Sequence, residues 1–326
     1  MVSHESNHHI TILMPRPILI DTDAGVDDAI ALIFALRSPE LSVKAITTVA
    51  GNVEVGKCTR NVRKVLGLLQ PAPDIIVARG SAKPLRRTLV TAPEVHGQDG
   101  LGDVRPPPRV STQRVLPDAV GVILDLCDRY ERRLTIVALG PLTNLARALQ
   151  RRPASLRKAG RIVSMGGAFR VPGNTGPVAE FNYFVDPEAA DRILTSGLPL
   201  KIVPLDLSEQ IVLMRAELEY RAKRRPNPVS RFLMRCTRSY MAYHKTTDGF
   251  NGGYLHDPLA VAAAIDETWF TWKRIEARVE TKGLRTRGMT VADFRKKPGA
   301  HKPIISVALN VEKEKFLRTL HARLWA

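Results

Sequence analysis

Four aspartates stand within eight residues in the stretch Asp21-Thr22-Asp23-Ala24-Gly25-Val26-Asp27-Asp28, at the end of an apolar run. Carboxylates crowded this closely repel one another unless a cation or converging donors offset their charge. A hard divalent cation held by oxygens meets that need, and Ca2+ accepts about six to eight of them. Gly25 lets the backbone turn tightly after Asp23. Asp27 and Asp28 could in part serve the first turn of a helix, where acidic side chains complement the dipole. Metal binding is the preferred reading of the set as a whole.

The elements that must position this turn follow from the hydropathy pattern. Pro17 to Asp21 reads as a strand and Asp27 to Leu36 as a helix. Leu41 to Val49 is a second strand, Thr59 to Leu69 a second helix and Ile75 to Ala78 a third strand. After a Gly- and Pro-rich stretch, 81–110, the alternation resumes: helix Asp118 to Cys127, strand Leu134 to Leu139, helix Thr143 to Gln150, strand Arg161 to Met165, helix Pro187 to Thr195, strand Leu200 to Pro204. Beyond residue 206 the chain turns helical and Arg-rich, then closes on strand patterns at Ile275 to Val279 and Ile304 to Leu309. Such alternation predicts an α/β fold with an open, mostly parallel, Rossmann-like central sheet flanked by helices on both faces. Ligands in these folds bind at the carboxyl ends of the strands. Polar residues recur there: Asp21 and Asp23, Asn52, Leu139-Gly140, and Met165-Gly166-Gly167. No linker, low-complexity tract or repeat breaks the pattern. One domain over 1–326 is expected, with 1–15 as a disordered N-terminal extension that makes its His4, His8 and His9 a poor metal site.

A DxD after a strand also fits phosphotransferases of the haloacid dehalogenase type. Their pattern needs Thr or Val two residues after the second Asp, where this chain has Gly25, and the Asp27-Asp28 pair is foreign to them. The segment DTDAGVDDAIAL instead resembles the signature of the inosine-uridine nucleoside hydrolase family. Further matches fall in family order: ITTVAGN at 46–52, His96-Gly97, VALGPLTN at 137–144, Met165-Gly166-Gly167, Asn174, Ala179-Glu180-Phe181-Asn182, Asp186-Pro187-Glu188-Ala189-Ala190, His256-Asp257-Pro258, and GMTVADFR at 288–295. The resemblance runs from about Pro17 to near the C-terminus.

It implies the nucleoside hydrolase fold and a calcium-dependent ribonucleoside N-glycosidase that releases ribose and a free base. Cleavage of this bond passes through an oxocarbenium-like sugar and needs activated water, a proton for the leaving base and a grip on the hydroxyls. The resemblance assigns the base role to Asp23, which also binds metal. It assigns further metal ligation to Asp28, the Leu139 carbonyl and Asp257. Asp27, Asn52, Asn174, Glu180 and Asn182 have the acceptors and donors to hold ribose hydroxyls. His256 resembles a histidine that protonates the leaving base, for which an ordinary pKa near 6.5 is suited; the bland alternative is a loop histidine that stacks on the base. His96 is expected to be a binding contact. Met165 and Phe181 either touch the nucleoside or pack. Tyr240 and Tyr243 sit in a helix-like stretch before a Gly-rich loop; Tyr243 and His244 could reach the base, with packing or a solvated face at least as favoured, and Asp99 is expected to cap a turn.

The chain has 326 residues, with 49 Lys+Arg against 32 Asp+Glu and a formal charge of +17. That balance raises a nucleic-acid partner as an alternative. The best patch, Arg221 to Arg225, lacks interleaved aromatics and reads as a solvated helix face. A catalytically silent nucleoside-binding homologue is a second alternative, opposed by the intact acidic set. The charge is also misplaced for the proposed chemistry: residues 1–60 hold five Lys/Arg and seven Asp/Glu, whereas 215–245 hold nine and two. No apolar run approaches the roughly 20 residues of a membrane span, and no signal peptide is read. The scattered Cys58, Cys127 and Cys236 suggest neither disulfides nor a thiolate zinc site, and a reducing cytoplasm suits them. The resemblance implies a homodimer or homotetramer and leaves base preference open.

Overall fold

A computed structural model of the chain describes residues 14–69, 74–295 and 304–325. Residues 1–13 of the expected N-terminal extension, with His4, His8 and His9, lie outside the described residues. Twelve strands are described: β1 (Arg16–Thr22), β2 (Leu41–Thr48), β3 (Ile76–Arg79), β4 (Val115–Leu116), β5 (Thr135–Ala138), β6 (Arg161–Met165), β7 (Leu200–Val203), β8 (Val212–Met214), β9 (Gly252–Tyr254), β10 (Phe270–Val279), β11 (Thr290–Ala292) and β12 (Ile304–Val311). Ten of them form one sheet in the order β11-β10-β12-β7-β6-β5-β1-β2-β3-β4. Pairing is parallel from β12 through to β4, and antiparallel where β10 meets β12 and β11.

The sheet is buried on both faces, so its strands carry near-continuous apolar runs rather than alternation with polar residues. Along β1, Ile18 and Ile20 enter one core while Leu19 enters the other. The same division puts Val137 on the first face of β5 and Ile136 and Ala138 on the second. Helices α1 (Val26–Leu36) and His256–Ile265 cover the first face; Ala119–Tyr130, Thr143–Arg151 and Pro187–Leu194 cover the second. Helix α1 is apolar on almost every side, which suits a helix with almost no solvent face.

Strand order reverses at β1: the chain goes one way through β2, β3 and β4, and the other way through β5, β6 and β7. A crevice opens outside the carboxyl ends of strands at such a reversal. Asp21 and Thr22 end β1, and Leu139 follows the end of β5, so the acidic turn lies at this crevice.

The structure departs from the sequence pattern in several places. The helix expected from Thr59 begins at Val55. Strand β10 begins at Phe270, five residues before the expected Ile275, because Thr271 to Arg274 pair with β12 while offering little apolar signal. The antiparallel β8–β9 pair was masked by Gly252-Gly253. A Cβ at Gly253 would meet Tyr240 Cε1 at 2.4 Å, so glycine there serves packing.

Candidate active site

The acidic turn sorts its four aspartates by direction. Asp21 faces away from the crevice: its Oδ1 accepts from Thr47 Oγ1 at 2.6 Å and Asn144 Nδ2 at 2.8 Å, tying β1 to β2 and to the helix Thr143–Arg151. Burial pushes its carboxyl up to about 6. Asp23 is fully buried. Its Oδ2 accepts from the Asn52 amide at 2.7 Å, whereas its Oδ1 has no partner among the described residues. A Cβ at Gly51 would lie 2.1 Å from Asp23 Oδ2, so no larger residue fits against this carboxylate.

Asp28 braces the turn itself. Thr22 Oγ1 donates to its Oδ1, while Gly25 N at 2.8 Å and Asn52 Nδ2 at 3.1 Å donate to its Oδ2. Asp27, Asp28 and Asp257 each offer a carboxylate oxygen within 4.8 Å of the others. Asp257 arrives from the first turn of the helix His256–Ile265, packed beside α1. Asp23 does not belong to that trio. Burial, then repulsion from Asp28, pushes Asp27 up to about 8 and Asp23 well above the usual carboxylate range. Burial and the charges of Asp27, Asp28 and Asp23 do the same to Asp257. A donor set of oxygens that cannot all ionise alone fits a hard divalent cation. The partnerless Asp23 Oδ1 is consistent with that fit.

Above the aspartates is a cavity of about 320 Å3. Eleven of the thirteen site residues named from sequence line it: Asp27, Asn52, His96, Leu139, Met165, Asn174, Glu180, Phe181, Asn182, His256 and Asp257. Asp23 and Asp28 are buried beside them without lining it. Asn182 Nδ2 donates to the Leu139 carbonyl at 2.8 Å and lies 3.3 Å from that of Met165. Glu180 caps the short helix Phe181–Val185, accepting from Asn182 N at 2.7 Å, Tyr183 N at 3.1 Å and Gly167 N at 3.0 Å. Burial raises its carboxyl to about 7 against those donors. Asn174, exposed at the rim, accepts from Phe181 N at 2.9 Å.

Two histidines face the same space. His96, on the helical turn Pro93–His96, accepts from Val26 N through Nδ1 and stacks on Tyr240 with ring centroids 5.8 Å apart. His256 Nδ1 is 2.7 Å from Ser208 Oγ. Burial pushes both imidazoles down to about 3, aided by His244. The resting His256 is therefore neutral, unlike the histidine of ordinary pKa expected from sequence, because the protein around it strips water from the ring.

Sequence reasoning leaves Tyr240 and Tyr243 undecided and does not single out Tyr254, Glu209 or Ser208. The three tyrosines and Glu209 line the cavity. The i, i+3 spacing of Tyr240 and Tyr243 on the helix Pro228–Thr247 is the one available signal. Asp99 braces its own turn, accepting from Leu101 N at 2.8 Å and Asp103 N at 3.0 Å, as expected for a capping residue. Arg221 to Arg225 end an exposed helix, where Arg221 pairs with Glu217 at 2.9 Å.

A family model, the inosine-uridine preferring nucleoside hydrolase, matches residues 18–318. The pyrimidine-specific ribonucleoside hydrolase RihA of Klebsiella pneumoniae is 42% identical over 95% of this chain and 99% of its own length. Among solved structures, the plant nucleoside hydrolase PpNRh1 superposes with a TM-score of 0.89 at 36% identity, covering 96% of this chain and 99% of its own. A purine-preferring ribonucleoside hydrolase from Gardnerella vaginalis gives 0.88 at 33% identity, covering 95% and 98%.

Proposed function

The chain belongs to the inosine-uridine preferring nucleoside hydrolase family and is a ribonucleoside hydrolase, and we propose that it cleaves pyrimidine ribonucleosides with Ca2+ held by Asp23, Asp28, Asp257 and the Leu139 carbonyl. The observation that carries the metal reading is the buried cluster of Asp27, Asp28 and Asp257, each with a carboxylate oxygen within 4.8 Å of the others, where burial and then mutual repulsion push Asp27 and Asp257 up. Bound there, calcium would neutralise these groups, acidify water and draw in the ribose hydroxyls. Asp23 Oδ1, buried and without a partner among the described residues, is suited to take the proton of the attacking water.

Asp27, Asn52, Asn174, Glu180 and Asn182 hold the hydroxyls, and the carboxylates among them offset positive charge developing on the sugar. His256, neutral at rest, donates a hydrogen bond from Nε2 to the leaving base while Ser208 holds Nδ1. A neutral imidazole can serve as such an electrophile where its surroundings disfavour the imidazolium. His96, Met165 and Phe181 contact the nucleoside.

Pyrimidine preference is supported by the 42% identity to a relative bearing that name. The test is kcat/KM for uridine, cytidine, inosine, guanosine and the 2′-deoxy analogues, with and without calcium. Faster turnover of inosine than of uridine would overturn the preference; equal rates for deoxyuridine would overturn the hydroxyl grip. A cytoplasmic homo-oligomer, dimer or tetramer, completes the proposal. The free, buried Cys58, Cys127 and Cys236 agree with a reducing compartment, and light scattering tests the assembly. Among the described residues no helix is long and apolar enough to cross a membrane.

A further inference from the structure

A second cavity, about 1190 Å3 in volume, lies at the opposite end of the sheet from the catalytic pocket. It is built on the first residues of four parallel strands: Arg16 of β1, Thr135 of β5, Arg161 of β6 and Leu200 of β7. Six cationic side chains line it: Arg16, Arg132, Arg133, Arg161, Lys201 and Arg274. Three acidic residues, Glu40, Asp266 and Glu267, stand against them. Glu267 Oε2 takes both Arg161, at 2.8 Å, and Lys201, at 2.5 Å. Asp266 accepts from the amide and hydroxyl of Thr268, and Glu40 pairs with Arg323 at 2.9 Å.

The cavity therefore holds unmatched positive charge. Arg132, Arg133 and Arg274 have no carboxylate partner among the described residues. Burial, with Arg16 beside it, lowers the Arg161 guanidinium from its usual range against the pull of Glu267. Between the cations the wall is apolar, from Leu198, Leu200, Ile265 and Trp269. Guanidinium groups match phosphate in planar, bidentate fashion, and an aromatic or aliphatic wall suits a base or other organic ring. The volume is several times that of the nucleoside pocket, more than a lone phosphate fills.

We propose that this cavity binds a nucleoside polyphosphate, its phosphates against Arg132, Arg133 and Arg274 and its organic part against Trp269 and Leu200. The site is separate from the catalytic pocket and needs none of its residues.

The experiment is isothermal titration of the full chain with ATP and with inorganic tripolyphosphate, in EDTA so that calcium chelation adds no heat. The wild type and Asp23→Asn should bind ATP equally. The pair Arg133→Glu with Arg274→Glu, both on exposed side chains, should weaken binding at least tenfold with melting unchanged. The milder Arg133→Gln with Arg274→Gln should weaken it in the same direction. ATP binding that is absent, unchanged in both arginine pairs, or lost in Asp23→Asn would overturn the site. Tripolyphosphate binding as tightly as ATP would overturn the organic half of the proposal.

Discussion

Val26 N donates to His96 Nδ1 at 3.1 Å, so a loop histidine is fastened to the first turn of the helix that carries Asp27 and Asp28. That bond makes Nδ1 the acceptor and leaves the proton of the neutral ring on Nε2. It also satisfies an amide that the helix start would otherwise leave without a partner. Gly25 permits the contact, since a Cβ there would lie 2.7 Å from the same nitrogen. His96→Ala orphans the amide at a cost of about 1–3 kcal/mol. We expect a lower Tm together with a higher KM, the two read by calorimetry and by steady-state kinetics with uridine. An unchanged KM would show that His96 is only a structural tether.

Asp23→Asn separates chemistry from stability. Asn52 N can still donate to the new amide oxygen, so the turn should persist. The proposed base is lost, and kcat should fall by about 10²–10⁴-fold. Calcium-free protein should melt higher than wild type, because the substitution removes a carboxyl that burial and Asp28 disfavour. A kcat within threefold of wild type would remove Asp23 from the base role.

Stability should depend on pH with a sign set by the buried acids. Asp21, Glu180 and Asp27 have carboxyls raised in the folded state to about 6, about 7 and about 8. A carboxyl whose pKa rises on folding contributes stability that is fully present below its unfolded pKa and is lost as pH climbs through the folded value. Each tenfold difference in acidity between the two states is worth about 1.4 kcal/mol. Calcium-free protein should therefore melt higher at pH 5.5 than at pH 8.5. Metal competes with protons for these oxygens, so added calcium should raise Tm far more at pH 8.5 than at pH 5.5. Equal calcium effects at both pH values would argue against carboxylate ligation.

What was legible in the sequence was the chemistry that local spacing imposes. Asp27 and Asp28 are adjacent in the acidic turn, whereas Asp257 was tied to them only by the family resemblance, which set Asp23 rather than Asp27 beside it. The strand β5 had to end near Leu139 for its carbonyl to face the crevice, and it does. Ser208 was invisible: a serine in the short helix Leu205–Ser208 carries no signal until the fold brings it to His256, 48 residues on. Tyr240 and Tyr243 were ambiguous because aromatics at helical spacing also describe a core face, and Tyr240 is nearly buried while it lines the pocket. The low basicity of His256 could not be read either, because it comes from burial and from His244 and His96, which are remote in sequence. The excess positive charge looked like a property of residues 215–245. The fold also gathers Arg16, Arg161, Lys201 and Arg274 from four separate strands into one cavity.

The Ser208–His256 pair yields the sharpest kinetic prediction. With the ring pushed down to about 3, His256 stays neutral from pH 5 to 8, so its own titration should leave no inflection near 6.5 in kcat/KM for uridine. Ser208→Ala removes the group at 2.7 Å that holds Nδ1, which frees the ring to turn and leaves one nitrogen without a partner. The net loss of such a bond is about 0.5–1.5 kcal/mol in stability. Its effect on chemistry should be larger in kcat than in KM, about tenfold, because orientation matters most as the base departs. Ser208→Thr keeps the hydroxyl and should restore most of the rate. An inflection near pH 6.5 that vanishes in His256→Gln would instead make His256 a titrating acid, and a Ser208→Ala enzyme with wild-type kcat would show that the ring needs no such support.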